Sequence, residues 1–255
     1  MRILTIDSTP FHELAYRSSG RGETRYNSLP FYLAKVDHLP DGVGAIVALA
    51  DLQGRENDPD ANRLLGVAVA EELSILEELG LVPRISLILS AGDLYDRPEL
   101  NKLGATGDVT DVLNAFAAKF PVVVAVNGNH DCVNVDGLSA NVQILDGASI
   151  NVEGLSVGGV SGITGKEPRH QRKSPDNFRK ALKSAMSKSP TVTMMHQTPK
   201  GVADGQIGDT DTADYLKKFG KSLVVAGHCY WENPLCEIGA NQILNVDSKV
   251  VVLTV

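Results

Sequence analysis

The sequence of 255 residues predicts an α/β fold, and three observations carry that reading. Short apolar runs alternate with amphipathic stretches through the first half, and the second half is rich in strand-like runs. No repeat, heptad seam or Pro/Gly/Ser-rich linker divides the chain, so residues 1–255 read as one domain large enough to bury a substantial core.

Taken in order, Arg2–Ile6 reads as the first strand. The stretch Thr9–Gly42 is long and polar with few clear signals, and reads as an insertion or partly ordered loop at about residues 9–42. Gly44–Ala50 (GAIVALA) lacks polar alternation and predicts a strand buried on both faces. From Asn62 to Gly80 the apolar spacing predicts a helix, with Asp58 or Asp60 as its cap and Gly80 as its stop. Ile85–Ser90 (ISLILS) is a second buried strand, Asp108–Lys119 a helix and Pro121–Val126 (PVVVAV) a third buried strand, giving β-α-β-α-β. Further strands are expected around Ser149–Val152, Leu155–Val160, Thr191–Met195, Leu223–Ala226, Gln242–Val246 and Val250–Thr254. Helices are expected at about Pro175–Lys188 and Thr212–Phe219.

Charge narrows the function. Lys and Arg total 24 against 31 Asp and Glu, a net charge of -7, which argues against a protein that coats DNA or an anionic membrane with its whole surface. Aromatic residues make up only 5%, too few for a surface of base-stacking platforms. One segment departs from this balance: residues 166–188 hold eight Lys/Arg and two acids, a local +6. That run is either a solvated helix face or an electrostatic lip for a nucleotide or nucleic acid, to which Arg17, Arg21 and Arg25 would add. No stretch approaches the roughly 18–20 apolar residues that span a bilayer, so no membrane partner is expected. The N-terminus lacks a secretory pattern, and three cysteines without a CxxC pair suit a reducing cytoplasm.

The chemistry sits at strand ends. GAIVALA runs into Asp51-Leu52-Gln53, ISLILS into Gly92-Asp93-Leu94-Tyr95-Asp96-Arg97, and PVVVAV into Asn127-Gly128-Asn129-His130-Asp131. TVTMM leads to His196, and SLVVA to Gly227-His228-Cys229-Tyr230. Ligands in open α/β sheets gather at the carboxyl ends of strands, so these residues should meet in one crevice. Carboxylates and a carboxamide supply hard oxygen donors and imidazoles suit Mn²⁺, Fe²⁺ or Zn²⁺, a set fitted to divalent cations. A pair of such ions roughly 3.5–4 Å apart can activate water for attack on phosphorus.

The series D-x-[H], GDxxDR, GNHD, a strand-end His and GH-x-[H], in this order, resembles the calcineurin-like metallophosphoesterases over Asp51–Tyr230, about 180 residues. The resemblance implies a four-layer α/β/β/α sandwich with two mixed sheets and a dinuclear site that hydrolyses phosphate esters by metal-activated water. Residue by residue, it implies that Asp93 bridges two divalent ions, with Mn²⁺ first and Fe, Zn or Mg as alternatives. Asp51 and Gln53 would face the first ion; Asn129, His196 and His228 would join Asp93 on the second. His130 would bind the phosphoryl group or protonate the leaving oxygen, with Asp96 orienting it. Arg97 would pair with a phosphate oxygen or with a structural carboxylate.

Two positions depart from the family pattern, both in the first-ion half: Gln53 and Tyr230 stand where the family carries His. Gln still offers a carbonyl oxygen, whereas Tyr is a poor ligand unless ionised, and its unperturbed pKa is about 10. The first site is therefore expected to be weaker and richer in oxygen. The substrate is expected to be a phosphodiester or nucleotide-type ester. The alternatives are a phosphomonoesterase or protein phosphatase of the same fold, or a catalytically impaired binding or scaffold module. Cys229, Cys132 and Trp231 read as packing residues, with a stacking role at the mouth of the site as the other reading for Trp231.

Overall fold

The computed structural model describes all residues, 1–255. The chain opens with β1 (Ile3–Ile6), β2 (His12–Ser19), β3 (Thr24–Val36) and β4 (Ala45–Ala50). It continues through α1 (Leu65–Glu78), β5 (Ile85–Ser90), α2 (Thr110–Lys119), β6 (Val122–Ala125) and β7 (Val142–Ile144). The second half holds β8 (Ala148–Val152), β9 (Leu155–Val160), α3 (Pro175–Met186), β10 (Val192–Met195) and α4 (Thr210–Lys218). It ends with β11 (Leu223–Ala226), β12 (Leu235–Ile238), β13 (Asn241–Asn245) and β14 (Lys249–Thr254).

Two mixed sheets result. The first has the order β7-β6-β5-β4-β14-β3-β2, then the short strand Arg55–Glu56, with β1 also paired to β3. The strands from β7 to β4 run parallel, β14 is antiparallel to β4 and parallel to β3, and β2 is antiparallel to β3. The second sheet runs β8-β9-β10-β11-β13-β12, parallel in its middle and antiparallel at both edges. Three apolar layers explain the stack. Leu65, Val69, Leu73 and Leu76 of α1 and Val112 and Phe116 of α2 pack on one face of the first sheet. Its other face (Ile46, Ala48, Leu87, Leu89, Val251) meets Val157, Val192, Met194 and Val225 of the second sheet. Phe178, Leu182 and Leu216 of α3 and α4 cover the outer face of the second. This is the α/β/β/α sandwich, and burial on both faces explains why β4 reads as an unbroken apolar run and β5 as one interrupted only by Ser86 and ended by Ser90.

Residues 9–42 correct the sequence reading. They form a hairpin, paired from His12↔Phe31 to Ser19↔Thr24, and β3 lies inside the first sheet between β2 and β14. The signal was masked because the first half of β3 (TRYNS) is exposed and Pro30 interrupts it. Pro30 is tolerated one residue before the β14 ladder begins at Phe31. Leu29 and Phe31 are buried on the helix side, and each such side chain stabilises by about 1.5–3 kcal/mol, enough to hold the strand.

Caps also differ from expectation. Neither Asp58 nor Asp60 caps α1, which starts at Leu65 without a side-chain cap; Asp58 accepts from the Asp60 amide in the preceding turn. Gly80, at φ 70°, ends the helix as expected. Ser174 caps α3, with Pro175 in its first turn, and Asp209 caps α4. Trp231 is fully buried in the outer layer and donates from Nε1 to the Ile207 carbonyl at 2.7 Å, so it packs rather than stacks at a mouth. No helix is long and apolar enough to cross a membrane.

Candidate metal centre

Five strands of the two sheets end at one rim, where β4, β5, β6, β10 and β11 run out into Asp51, Asp93, Asn129, His196 and His228. Three of these residues hold left-handed backbone without being glycine: Asp51 (φ 54°), Asp93 (φ 56°) and His228 (φ 73°). Such conformations cost of order 1–3 kcal/mol each and persist where surrounding structure over-determines them. Tight loop contacts do so here. A Cβ on Gly128 would stand 2.0 Å from Asp93 Oδ1, and one on Gly92 would stand 2.2 Å from the Gly128 nitrogen. Only glycine lets the GDLYDR and GNHD loops approach this closely.

Asp131 locks the two loops together. It is buried, and its two oxygens accept from the backbone amides of Asp93 (2.7 Å), Leu94 (2.8 Å) and Gly128 (2.8 Å). Burial, then the nearby Asp93 charge, pushes its pKa up to about 6. The GNHD motif contains Asp131 without revealing this role, since nothing in a linear motif shows which amides a carboxylate will meet.

Asp93, His196 and His228 place one donor atom each within 4.8 Å of one another. His196 is fully buried between the sheets, and its Nδ1 lies 2.8 Å from the Ala91 carbonyl, which orients Nε2 toward Asp93 Oδ2 at 3.3 Å. Burial opposes a charge on His196, yet the Asp93 and Asp51 carboxylates outweigh it and raise its pKa to about 10. The pocket thus favours a positive charge between its carboxylates. Burial and the neighbouring His196 lower His228 to about 4, leaving a neutral imidazole with a free lone pair. Asn129 lies between Gly128 and His130, whose amide donates to Asp93 Oδ1 at 2.9 Å. Asn129 Oδ1 and His196 Nε2 are buried atoms without a hydrogen-bond partner. Asp93, His196 and His228 suit a divalent ion, which would take the place of the proton that His196 holds against Asp93, and Asn129 Oδ1 is a buried acceptor left to be satisfied.

The first-ion half comes together less completely. Asp51 accepts from the His228 amide at 2.8 Å, and burial followed by repulsion from Asp247 raises its pKa well above the usual carboxylate range. Gln53 donates from Nε2 to Asp93 Oδ2 at 3.3 Å. Tyr230 turns away: it is 56% exposed, and Lys249 Nζ sits 3.7 Å from its ring centroid. Asp247 and Lys249, both buried, are the residues of this rim that sequence reading missed, because Asp-Ser-Lys between two apolar runs reads as a plain turn.

The residues expected around the leaving group are corrected in part. His130 abuts Gly104, and the partner in reach of its Nδ1 is Thr106 Oγ1 at 3.5 Å, not Asp96. Asp96 instead anchors the hairpin, accepting from the Ser19 amide (2.8 Å), the Ser19 hydroxyl (2.5 Å) and the Arg97 amide (2.8 Å). Arg97 reaches Glu99, with Nε 3.4 Å from Oε2, so of its two expected partners it takes a surface carboxylate. A cleft of about 220 Å³ lies between the hairpin and the rim, lined by Tyr16, Arg25, Asn27, Asp51, Gln53 and Ser248 among others. A larger cavity of about 770 Å³ lies beyond the GNHD loop, against Cys132, Val133 and His170, away from the converging donors.

The basic segment 166–188 splits by role. Lys173 binds the Ser161 carbonyl and Asp146, and Arg179 pairs with Asp176. Arg172 is half-buried, packs its stem on Gly165 and has no side-chain hydrogen bond or ion pair. Its charge opposes protonation of both His130 and His228, so it lies within electrostatic reach of the centre.

The calcineurin-like phosphoesterase family model matches residues 44–229. No curated protein matches the sequence. Among solved structures, TT1561 of Thermus thermophilus is 16% identical over 81% of this chain and 90% of its own, with a TM-score of 0.56. A second crystal structure is 12% identical over 85% of this chain and 95% of its own, with a TM-score of 0.57. The phosphopantetheinyl hydrolase PptH of Mycobacterium tuberculosis is 16% identical over 81% and 90%, and its TM-score of 0.44 is too low to carry an argument. At these identities the likeness shows the fold alone.

Proposed function

Because this chain belongs to the calcineurin-like phosphoesterase family, we propose that it is a metal-dependent hydrolase of a phosphodiester or nucleotide-type phosphate ester. The observation that carries this reading is the convergence of Asp93, His196 and His228, whose donor atoms lie within 4.8 Å of one another. Asp93, Asn129, His196 and His228 would hold the ion, and Mn²⁺ suits their mixture of oxygen and imidazole donors better than Mg²⁺ does. When bound, a divalent ion supplies Lewis acidity at a phosphoryl oxygen and lowers the pKa of a water.

The chain's own residues do the rest. Asp131 fixes the two loops, so Asp93 and Asn129 are placed before substrate arrives. Burial, more than any neighbour, keeps His130 below its ordinary pKa, and a docked phosphate would raise it and ready the ring to protonate the leaving oxygen. Arg172, with no partner of its own, would take phosphoryl oxygens on one side of the centre. Arg25, also without an ion pair or side-chain hydrogen bond, lines the hairpin cleft on the other, where an ester's second group would sit. Two free guanidinium groups flanking one centre support a diester or nucleotide over a phosphopeptide. Three free cysteines suit a cytoplasmic setting.

The test is hydrolysis of bis-p-nitrophenyl phosphate and p-nitrophenyl phosphate by metal-free protein supplied with Mn²⁺, Mg²⁺, Zn²⁺ or Fe²⁺. Asp93→Asn runs alongside and should lose roughly 10³-fold or more, the scale of removing a centre of charge stabilisation. Equal rates in the variant, or none with any metal, would refute the reading.

A further inference from the structure

The residue that replaces the family's last histidine has a partner, and that partner is a cation. Lys249 is 2% exposed, a rare state for lysine, because stripping water from an ammonium is costly. Its Nζ donates to the Asp247 carbonyl at 3.0 Å and otherwise faces the Tyr230 ring, 3.7 Å from the centroid. Lys249 pairs across the sheet with Ala50, the residue before Asp51. Asp247 bridges to Ala50 as well, and the Ser248 amide donates to the Ala50 carbonyl at 3.2 Å. The Asp247–Lys249 turn is therefore wrapped around the base of Asp51.

Two carboxylates lie there, Asp247 buried and Asp51 partly so. Asp51 is offered one backbone amide, from His228, and Asp247 one hydroxyl, from Ser248. Neither has an ion-pair partner within 4 Å, and each disfavours the other's charge or that of its neighbours. The Lys249 ammonium lies within electrostatic reach of both acids, which favour its charge, and His196 acts on both acids as well. Gln53 meanwhile turns its amide donor toward Asp93, so this half lacks both imidazoles and has the Lys249 ammonium near it, whose pKa burial lowers to about 8.

We propose that Lys249, held over Tyr230, is the resident cation of the first-ion half, so that the centre takes one divalent ion, on Asp93, Asn129, His196 and His228. The inference rests on the proposed metal-dependent function, but its failure is distinguishable from the failure of that reading. Tyr230 then has a purpose that ligation could not give it, since its ring stabilises the ammonium. Asp51 keeps its place in the rim with a lysine rather than a metal as counter-charge.

The experiment counts ions. Metal-free wild-type protein is saturated with Mn²⁺, passed through a desalting column and measured by mass spectrometry for manganese per chain, with electron paramagnetic resonance on the same sample. One ion per chain with an uncoupled six-line spectrum is expected. Two ions with a spin-coupled spectrum overturn the inference and leave the proposed function standing; no bound ion overturns the function itself. The double variant Tyr230→His, Lys249→Met restores the imidazole and removes the ammonium, and should bind two ions. Tyr230→His alone should still bind one. If the folded double variant, checked by circular dichroism, also stays at one, Lys249 is not what closes the first half and the proposal falls. A wild-type count of two overturns the proposal even where the double variant does not fold.

Discussion

Replacing Asp96 with alanine separates two accounts of the GDLYDR motif. In one, drawn from family resemblance, Asp96 orients His130; in the structure it ties the hairpin to the rim. The substitution removes three hydrogen bonds, from the Ser19 amide, the Ser19 hydroxyl and the Arg97 amide. The two to Ser19 lie in buried surroundings, so their donors are left without water. Hydrogen bonds to a carboxylate are worth about 1.5–3 kcal/mol each and add incompletely, so the loss should be about 3 kcal/mol. For a domain of this size that lowers the Tm by about 6–12 °C. Ser19→Ala keeps the backbone bond and should lose about a third as much. Calorimetry measures the Tm, and hydrogen exchange across residues 16–27 should show the hairpin opening first. A Tm within about 2 °C of wild type, with unchanged hairpin exchange and a collapsed kcat, would refute the tether and restore the orienting role.

Other consequences follow from single contacts. Gly128→Ala forces a Cβ to 2.0 Å from Asp93 Oδ1 and should abolish Mn²⁺ retention on a desalting column while costing about 3 kcal/mol or more in chemical denaturation. Arg172→Ala should raise KM for bis-p-nitrophenyl phosphate about tenfold with a smaller change in kcat, the loss of one charge-assisted contact; an unchanged KM would remove Arg172 from the substrate path. Arg63 bridges Glu56 and Glu71, and its hydrogen bond to Glu71 lowers that carboxyl's pKa. A lowered acid pKa adds stability above its unfolded value near pH 4.5 that is lost as pH falls further. Arg63→Met should therefore flatten the Tm profile between about pH 3 and 5, and an identical acid limb would count against the pair.

Much of the centre was legible in the chain, for a physical reason. A strand buried on both faces must be apolar throughout, so the polar residue that ends it stands out, as Asp51, Asp93, Asn129, His196 and His228 each do. Parallel strands bring such ends to one rim, which is why a linear reading could gather them into a single crevice. Helix and strand types were equally plain wherever one periodicity held, as in α1, β5 and β9. The hairpin was not, because Pro30 and five exposed residues hide a strand whose place depends on β14, more than two hundred residues later.

What only the tertiary structure decided is the choice of partner. Asp96 and Asp131 are both acids of specific motifs, yet one holds a hairpin and the other three loop amides, and no spacing distinguishes them. Lys249 looks like the first residue of an ordinary strand until pairing with β4 sets it beside Asp51 and under Tyr230. Sequence determined which donors line the rim, because burial pattern is local. Folding determined which charge answers which, because electrostatic partners are set by distance through space.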